Sequence, residues 1–226
     1  MNLALQKTWQ AQDLDFEDTP VKSSLSEARS KISFSYFKDI YEADLKRFDK
    51  ARKTYKGLYV YAVDGDDLNL PCSEDVLNQG YRGRLYAKGF ETHYPKMYTV
   101  YAYDILNGLF HQFEYSAVHR ELKSALELIP KFEKNSVTIY DRLYGSYPTM
   151  SAHANSGSYF VIRLKTNGDS IPTLTKNFIR SDQVQMEVEW ESSKGLGDAV
   201  KVRLVKFISS KTKKLMIFAT DRKSVV

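Results

Sequence analysis

The stretch VTIYDRLYGSY occupies residues 137–147. Its first four residues are β-branched or aromatic, so residues 137–140 are predicted to form a buried strand. Asp141 stands where that strand ends. Arg142 and a loop with Gly145 and Ser146 follow. Working outward, GLYVYAVDG (residues 57–65) is a second strand-like run, and it too reaches an aspartate, Asp64, before Gly65. The spacing predicts that this strand stops at Asp64-Gly65. Between the two runs, MYTVYAYDI (97–105) and LFHQFEYS (109–116) flank LNG, which predicts a hairpin. HRELKSALELIPKF then switches to helical spacing, with Leu122, Ala125, Leu126 and Ile129 on one face. YPTMSAHANSG predicts a short helix stopping at Gly157, and SYFVIRLK (158–165) another strand.

The order over residues 57–165 is therefore strand, hairpin, helix, strand, helix, strand. That is the order of the ribonuclease H-like fold, an α/β mixed sheet flanked by helices. In that fold the first strand lies in mid-sheet, parallel to the strand after the first helix. Adjacent strands are about 5 Å apart, so Asp64 and Asp141 are predicted to be neighbours. Two such carboxylates repel unless a proton or a cation lies between them. Hard divalent cations such as Mg²⁺ take oxygen ligands and bind substrate phosphates. The alternative, that each aspartate is a turn or cap residue, stands beside this reading.

The flanks differ in texture. The first 20 or so residues read as a polar, acidic arm. SLSE (24–27) has a capping-box pattern, and Phe37, Ile40, Tyr41, Leu45 and Phe48 recur at helical spacing. After Lys165, VQMEVEWE, AVKVRLVKFI and KKLMIFAT predict a separate antiparallel β region. Glu187, Glu189 and Glu191 alternate there and read as a solvent face. The predicted organisation is an N-terminal arm and helical segment over 1–56, a core over 57–165 and a β-rich region over 166–226.

Hydrophobic content of 42% supports a real core and argues against disorder. No run reaches the length of a membrane span, and no signal-peptide core is visible, so the chain reads as cytosolic. Cys72 has no partner for an internal disulfide, and His93, His111, His119 and His153 are too scattered for a zinc site. The net charge is +5. Basic residues concentrate at Lys46, Arg47, Lys50, Arg52, Lys53 and Lys56, and again over 194–226, with nine Lys or Arg against Asp198 and Asp221. Each cluster reads either as a polyanion-binding surface or as a solvated face.

VYAVDGDDLNLP, YTVYAYDILNGLFHQFEYS, HRELKSALELIPKF, IYDRLYGSY and YFVIRLK resemble, in order and spacing, the DDE transposase domain of bacterial insertion sequences of the IS-four type. SSLSEARSKISFSYFKDIYE is similar to the helical segment before that domain, and VKVRLVKF with KLMIFAT to its β-rich insertion. The resemblance implies a DNA transposase with a ribonuclease H-like core. Transposon ends would be cleaved by metal-dependent attack of water, and the freed 3′-hydroxyl would attack target DNA. It assigns Asp64 and Asp141 as catalytic, metal-binding residues for Mg²⁺ or Mn²⁺. It also implies double-stranded DNA as partner, a homodimer, and a cytoplasmic, nucleoid-associated location. Arg142, Lys165 and the basic C-terminal strands are candidates for phosphate contacts, and Arg142 reads equally as a surface arginine paired with a nearby acid. Some of the 16 tyrosines could stack on splayed bases, although most fit strand-core patterns.

Two departures qualify that resemblance. The family's third carboxylate, a glutamate in a Tyr-Arg-Glu-Lys pattern after the β insertion, has no match before the chain ends at FATDRKSVV. Leu143 stands where the family usually has glycine, which predicts strain if the turn needs positive φ. The expectation is a truncated, catalytically incomplete copy. The alternatives are a non-catalytic remnant that binds DNA or a partner transposase, and a ribonuclease H-like nuclease using another acid.

Overall fold

The computed structural model describes residues 22–222, apart from 50, 87–88, 169–170, 194 and 196. The expected acidic arm lies outside the described residues. The chain divides into two compact units, Met1–Ala51 and Arg52–Val226. The first carries two helices, α1 (Lys22–Ser30) and α2 (Phe34–Asp49). Helix α1 starts two residues before Ser24, so the 24–27 pattern does not cap it. On α2, Phe37, Ile40 and Phe48 are exposed.

The second unit is built on β1 (Tyr59–Asn69), β2 (Lys96–Asp104), β3 (Leu109–Ser116), β4 (Ser136–Tyr140), β5 (Tyr159–Arg163), β6 (Gln185–Trp190), β7 (Val200–Ile208) and β8 (Leu215–Thr220). These form one eight-stranded mixed sheet in the order β3-β2-β1-β4-β5-β8-β7-β6. Strands β1, β4 and β5 are parallel; every other pairing is antiparallel. Helices α3 (Glu74–Asn78), α4 (Glu121–Leu128), α5 (Tyr147–Ser156) and α6 (Thr173–Arg180) complete it. Buried strand residues share one face: Tyr61 and Val63, Val100 and Ala102, Phe160 and Ile162, Val202 and Leu204, Ile217 and Ala219. They form a single core with Ala125, Leu128, Met150 and Phe178 from α4, α5 and α6. A fully buried side chain of this size contributes about 1.5–3 kcal/mol through area removed from water.

Two expectations change, and one element was missed. Strand β1 does not stop at Asp64-Gly65 but runs on to Asn69, because β2 continues to pair with it as far as Asn69 with Lys96. The three C-terminal strands are antiparallel as expected, but they are not a separate region. Strand β8 pairs with β5, so they extend the same sheet. Helix α6 was not legible: it follows Pro172 and spans only eight residues.

Charged residues also settle differently. Arg52 does not belong to a basic surface. Its side chain is 4% exposed, bonded to Asp104 and Glu133 and stacked 3.9 Å over the Tyr59 ring. Lys201 and Arg203 lie opposite Glu189 and Glu187 across the β6–β7 ladder, where opposite charges favour the pairing. Lys206 donates to the carbonyls of Phe178 and Ser181 at the C-terminal end of α6, at 3.0 and 2.5 Å. Among the described residues of that segment, Lys201 is exposed, as are Lys211, Lys213 and Lys214 in the β7–β8 turn. Glu187, Glu189 and Glu191 are exposed, as read from their alternation.

Candidate active site

The parallel β1–β4 ladder ends at Val63 with Tyr140. The next residue on β1 is Asp64, and the next after β4 is Asp141. Neighbouring strands are about 5 Å apart, so the structure brings the two predicted site residues together. Asp64 is not a strand-end residue, because β1 runs past it; it marks the end of the pairing with β4 alone. Both aspartates are exposed.

Each carboxylate is oriented by its own backbone. Asp64 Oδ1 accepts from the Gly65 N–H at 2.9 Å. Asp141 caps the 3₁₀ turn Arg142–Tyr144, and its Oδ1 accepts from the Leu143 N–H at 2.6 Å. Among the described residues neither aspartate makes an ion pair. Two adjacent anions that make no ion pair are electrostatically incomplete, and a hard divalent cation completes such a pair. Mg²⁺ commonly uses one or two carboxylates and takes its other ligands from water and substrate phosphate. The donor set therefore fits Mg²⁺ or Mn²⁺. Among the described residues no group of three or more His, Cys, Asp or Glu is spaced to hold a metal ion.

The sequence reading passed over Glu121, the first residue of α4. Its Oε1 accepts from the Tyr144 hydroxyl at 2.7 Å. Its carboxylate packs against the bare Cα of Gly65: a Cβ there would lie 2.5 Å from Glu121 Cδ. Gly65 thus makes room for Glu121 directly beside Asp64. Burial pushes the Tyr144 hydroxyl far above the ordinary range, and the hydrogen bond to Glu121 and the charges of Glu121, Asp64 and Asp141 add to it. Three carboxylates thus act on one buried phenol without converging on one point. The acidic first turn of α4 was visible in sequence, but nothing there placed it against Gly65.

Arg142, next to Asp141 in the chain, and Lys165, just past β5, are exposed and, among the described residues, make no ion pair. Tyr101 lies opposite Asp64 on β2, and partial burial and the charges of Asp64 and Asp66 raise its pKa. A cleft of about 160 Å³ borders the site, lined among others by Gly65, Asp67, Arg84, Tyr98, His119 and Glu121. Leu143, expected to strain its turn, has no positive φ; among the described residues, Lys56 and Lys213 are the non-glycine residues that do. The turn after Asp141 does not require glycine.

No protein-family model matches the sequence, and no curated protein does. Among solved structures, the chain is similar to endonuclease V of Ciona intestinalis in complex with a 24-mer DNA containing an inosine followed by a ribo-adenosine. Identity is 10%, 83% of each chain is covered and the TM-score is 0.32. It is also similar to the catalytic domain of human endonuclease V, at 12% identity over 90% of this chain and 84% of that one, with a TM-score of 0.32. Superposition at that level says nothing of what this chain binds or cuts. Among the described residues, no helix is long and apolar enough to cross a membrane.

Proposed function

We propose that this chain carries a DNA-processing phosphoryl-transfer site on a ribonuclease H-like core, with Asp64 and Asp141 holding Mg²⁺ or Mn²⁺. The observation that carries the proposal is the β1–β4 ladder, which delivers an aspartate on each strand one position past Val63 and Tyr140. When bound, a divalent cation supplies activation of the attacking oxygen and offsets charge on the leaving one. The chain's own residues do the positioning. The Gly65 and Leu143 amides fix the two carboxylates, and exposed Arg142 and Lys165 suit sequence-independent phosphate contacts.

The DDE-transposase reading is the finer form of this proposal and is supported by the sequence resemblance alone. Under it the substrates are transposon ends and target DNA, and the enzyme acts as a homodimer. Residues 57–165 then form the core and 166–226 the insertion, whose strands β6, β7 and β8 extend the sheet. A second reading, a DNA-binding or transposase-binding remnant without chemistry, is favoured by one observation. Among the described residues no third ligand converges with the two aspartates.

Incubation with supercoiled plasmid and with linear DNA carrying transposon ends, in Mg²⁺ or Mn²⁺, tests the proposal. Metal-dependent strand breakage that disappears in Asp64→Asn and in Asp141→Asn is expected. Products confined to transposon ends select the transposase form, and general degradation selects a nuclease. Breakage that persists in both variants refutes the site.

A further inference from the structure

The β1–β4 ladder, which sets the spacing of the two aspartates, ends one residue short of both, at Val63 with Tyr140. Beyond it the two chains part. Strand β1 runs on against β2, whereas the chain after β4 enters the turn Arg142–Tyr144. A side chain from a third element touches both. Glu121 opens α4, whose Ser124, Ala125 and Leu128 are buried, so its backbone is anchored in the core. Its carboxylate fills the space that Gly65 leaves by lacking a Cβ, and its Oε1 accepts from the Tyr144 hydroxyl at 2.7 Å. Gly65 follows Asp64, and its N–H is the one that Asp64 Oδ1 accepts. Tyr144 closes the turn that Asp141 caps, and its N–H donates to the Asp141 carbonyl at 3.3 Å.

We propose that Glu121 is a positioning residue, a brace between β1 and the turn after β4 that fixes the separation of the Asp64 and Asp141 carboxylates. Its consequence for a bound cation rests on the function proposed above; the brace itself does not. Tyr144 is fully buried, so its hydroxyl needs an acceptor. Burial, the bond to Glu121 and the three carboxylate charges keep that hydroxyl protonated, so it is always the donor. The other Glu121 oxygen, Oε2, lies 3.9 Å from His119 Nε2. An acid in the first turn also suits the helix dipole, but the dipole requires neither a glycine at 65 nor a phenol at 144. A brace works by geometry, so a carboxamide in place of the carboxylate still serves it. A residue acting by its charge has no such substitute.

Two measurements on the full chain test it. The first is amide hydrogen exchange without metal, followed by NMR. The Leu143 and Ser146 amides bond within the turn, to Asp141 Oδ1 and the Tyr144 carbonyl. In Glu121→Ala and in Tyr144→Phe they are expected to exchange at least about fivefold faster, with Ile139 inside the ladder unchanged. If neither variant folds, Gly65→Ala serves: its Cβ displaces the Glu121 carboxylate and is expected to speed the same amides. Unchanged exchange in the turn overturns the brace. The second is titration of Mn²⁺. Glu121→Ala and Tyr144→Phe are expected to bind at least about tenfold more weakly than the parent, and Glu121→Gln to bind as the parent does. An equal loss in Glu121→Gln means that the carboxylate acts by charge, and overturns positioning. So does unweakened binding in Glu121→Ala. A parent that binds no Mn²⁺ removes the metal site of the proposed function, and the exchange result then decides the brace alone.

Discussion

Leu143 shows how a single residue can be misjudged from a motif. Read against a family glycine it signals decay, yet it sits in a 3₁₀ turn, 49% exposed, with ordinary backbone angles. Leu143→Gly is therefore expected to restore nothing. It should cost about 0.5–1 kcal/mol through added freedom of the unfolded chain, read as a lower midpoint in urea. Arg52 is the opposite case. Counted in sequence as one member of a basic cluster, it is buried against Asp104 and Glu133, with the Tyr61 hydroxyl donating to Glu133 at 2.6 Å. Burial alone would lower its pKa, but bonds to Glu133 and Tyr61 prevail and raise it. Removing one partner of a buried pair leaves an uncompensated charge, so Arg52→Ala is expected to cost about 3–5 kcal/mol in denaturant unfolding. A value below about 1 kcal/mol would mean that water reaches Asp104.

At the scale of elements, α5 and the end of β4 are joined through one buried network. Ser156 Oγ donates to the His153 carbonyl, so it accepts from Ser158, 2.8 Å away. Ser158 then accepts from His153 Nδ1 at 2.8 Å, which leaves Nε2 to accept from the Tyr140 hydroxyl at 2.9 Å. The histidine is thus neutral with its proton on Nδ1, and burial pushes its pKa down to about 4. A folded pKa below the unfolded value stabilises above the unfolded pKa and loses that stability as pH falls. With an ordinary value of 6.5, the loss falls between pH 6.5 and 4. From pH 7 to 5 it amounts to about 2 kcal/mol. Burial also raises Asp221 to about 6, which acts in the opposite sense over part of that range. Comparing the parent with His153→Gln isolates the histidine: only the parent should lose the additional stability on acidification. Equal pH dependence of the two would contradict the network. The elements themselves were largely legible, since β2, β3, β4, α5 and Gly157 follow from alternation, aromatic content and a left-handed stop at φ +75°. The true end of β1 was not, because Asp64 to Asn69 are held in strand by β2 and not by their own propensity.

For the whole molecule, what sequence could not show was continuity. Texture changes after Lys165, yet β8 pairs with β5 and carries the sheet on through β7 to β6. Propensity is local, whereas the choice of neighbour depends on which edge is free. Charge left two readings open for the same reason: Lys201 and Arg203 lie in register with Glu189 and Glu187 on β6, and Lys206 bonds the end of α6. The adjacency of Asp64 and Asp141 was legible, because it needed only the order of elements and the parallel rule. Glu121 was not, because it needed the gap at Gly65. Isothermal titration of Mn²⁺ into the full chain tests the central claim, that the two aspartates form a divalent-cation site, without any substrate. Saturable binding is predicted for the parent, weakened at least about tenfold in Asp64→Asn and in Asp141→Asn, since losing a ligand costs no less than losing its supporting partner. Binding that is absent in the parent, or unchanged in both variants, would contradict it.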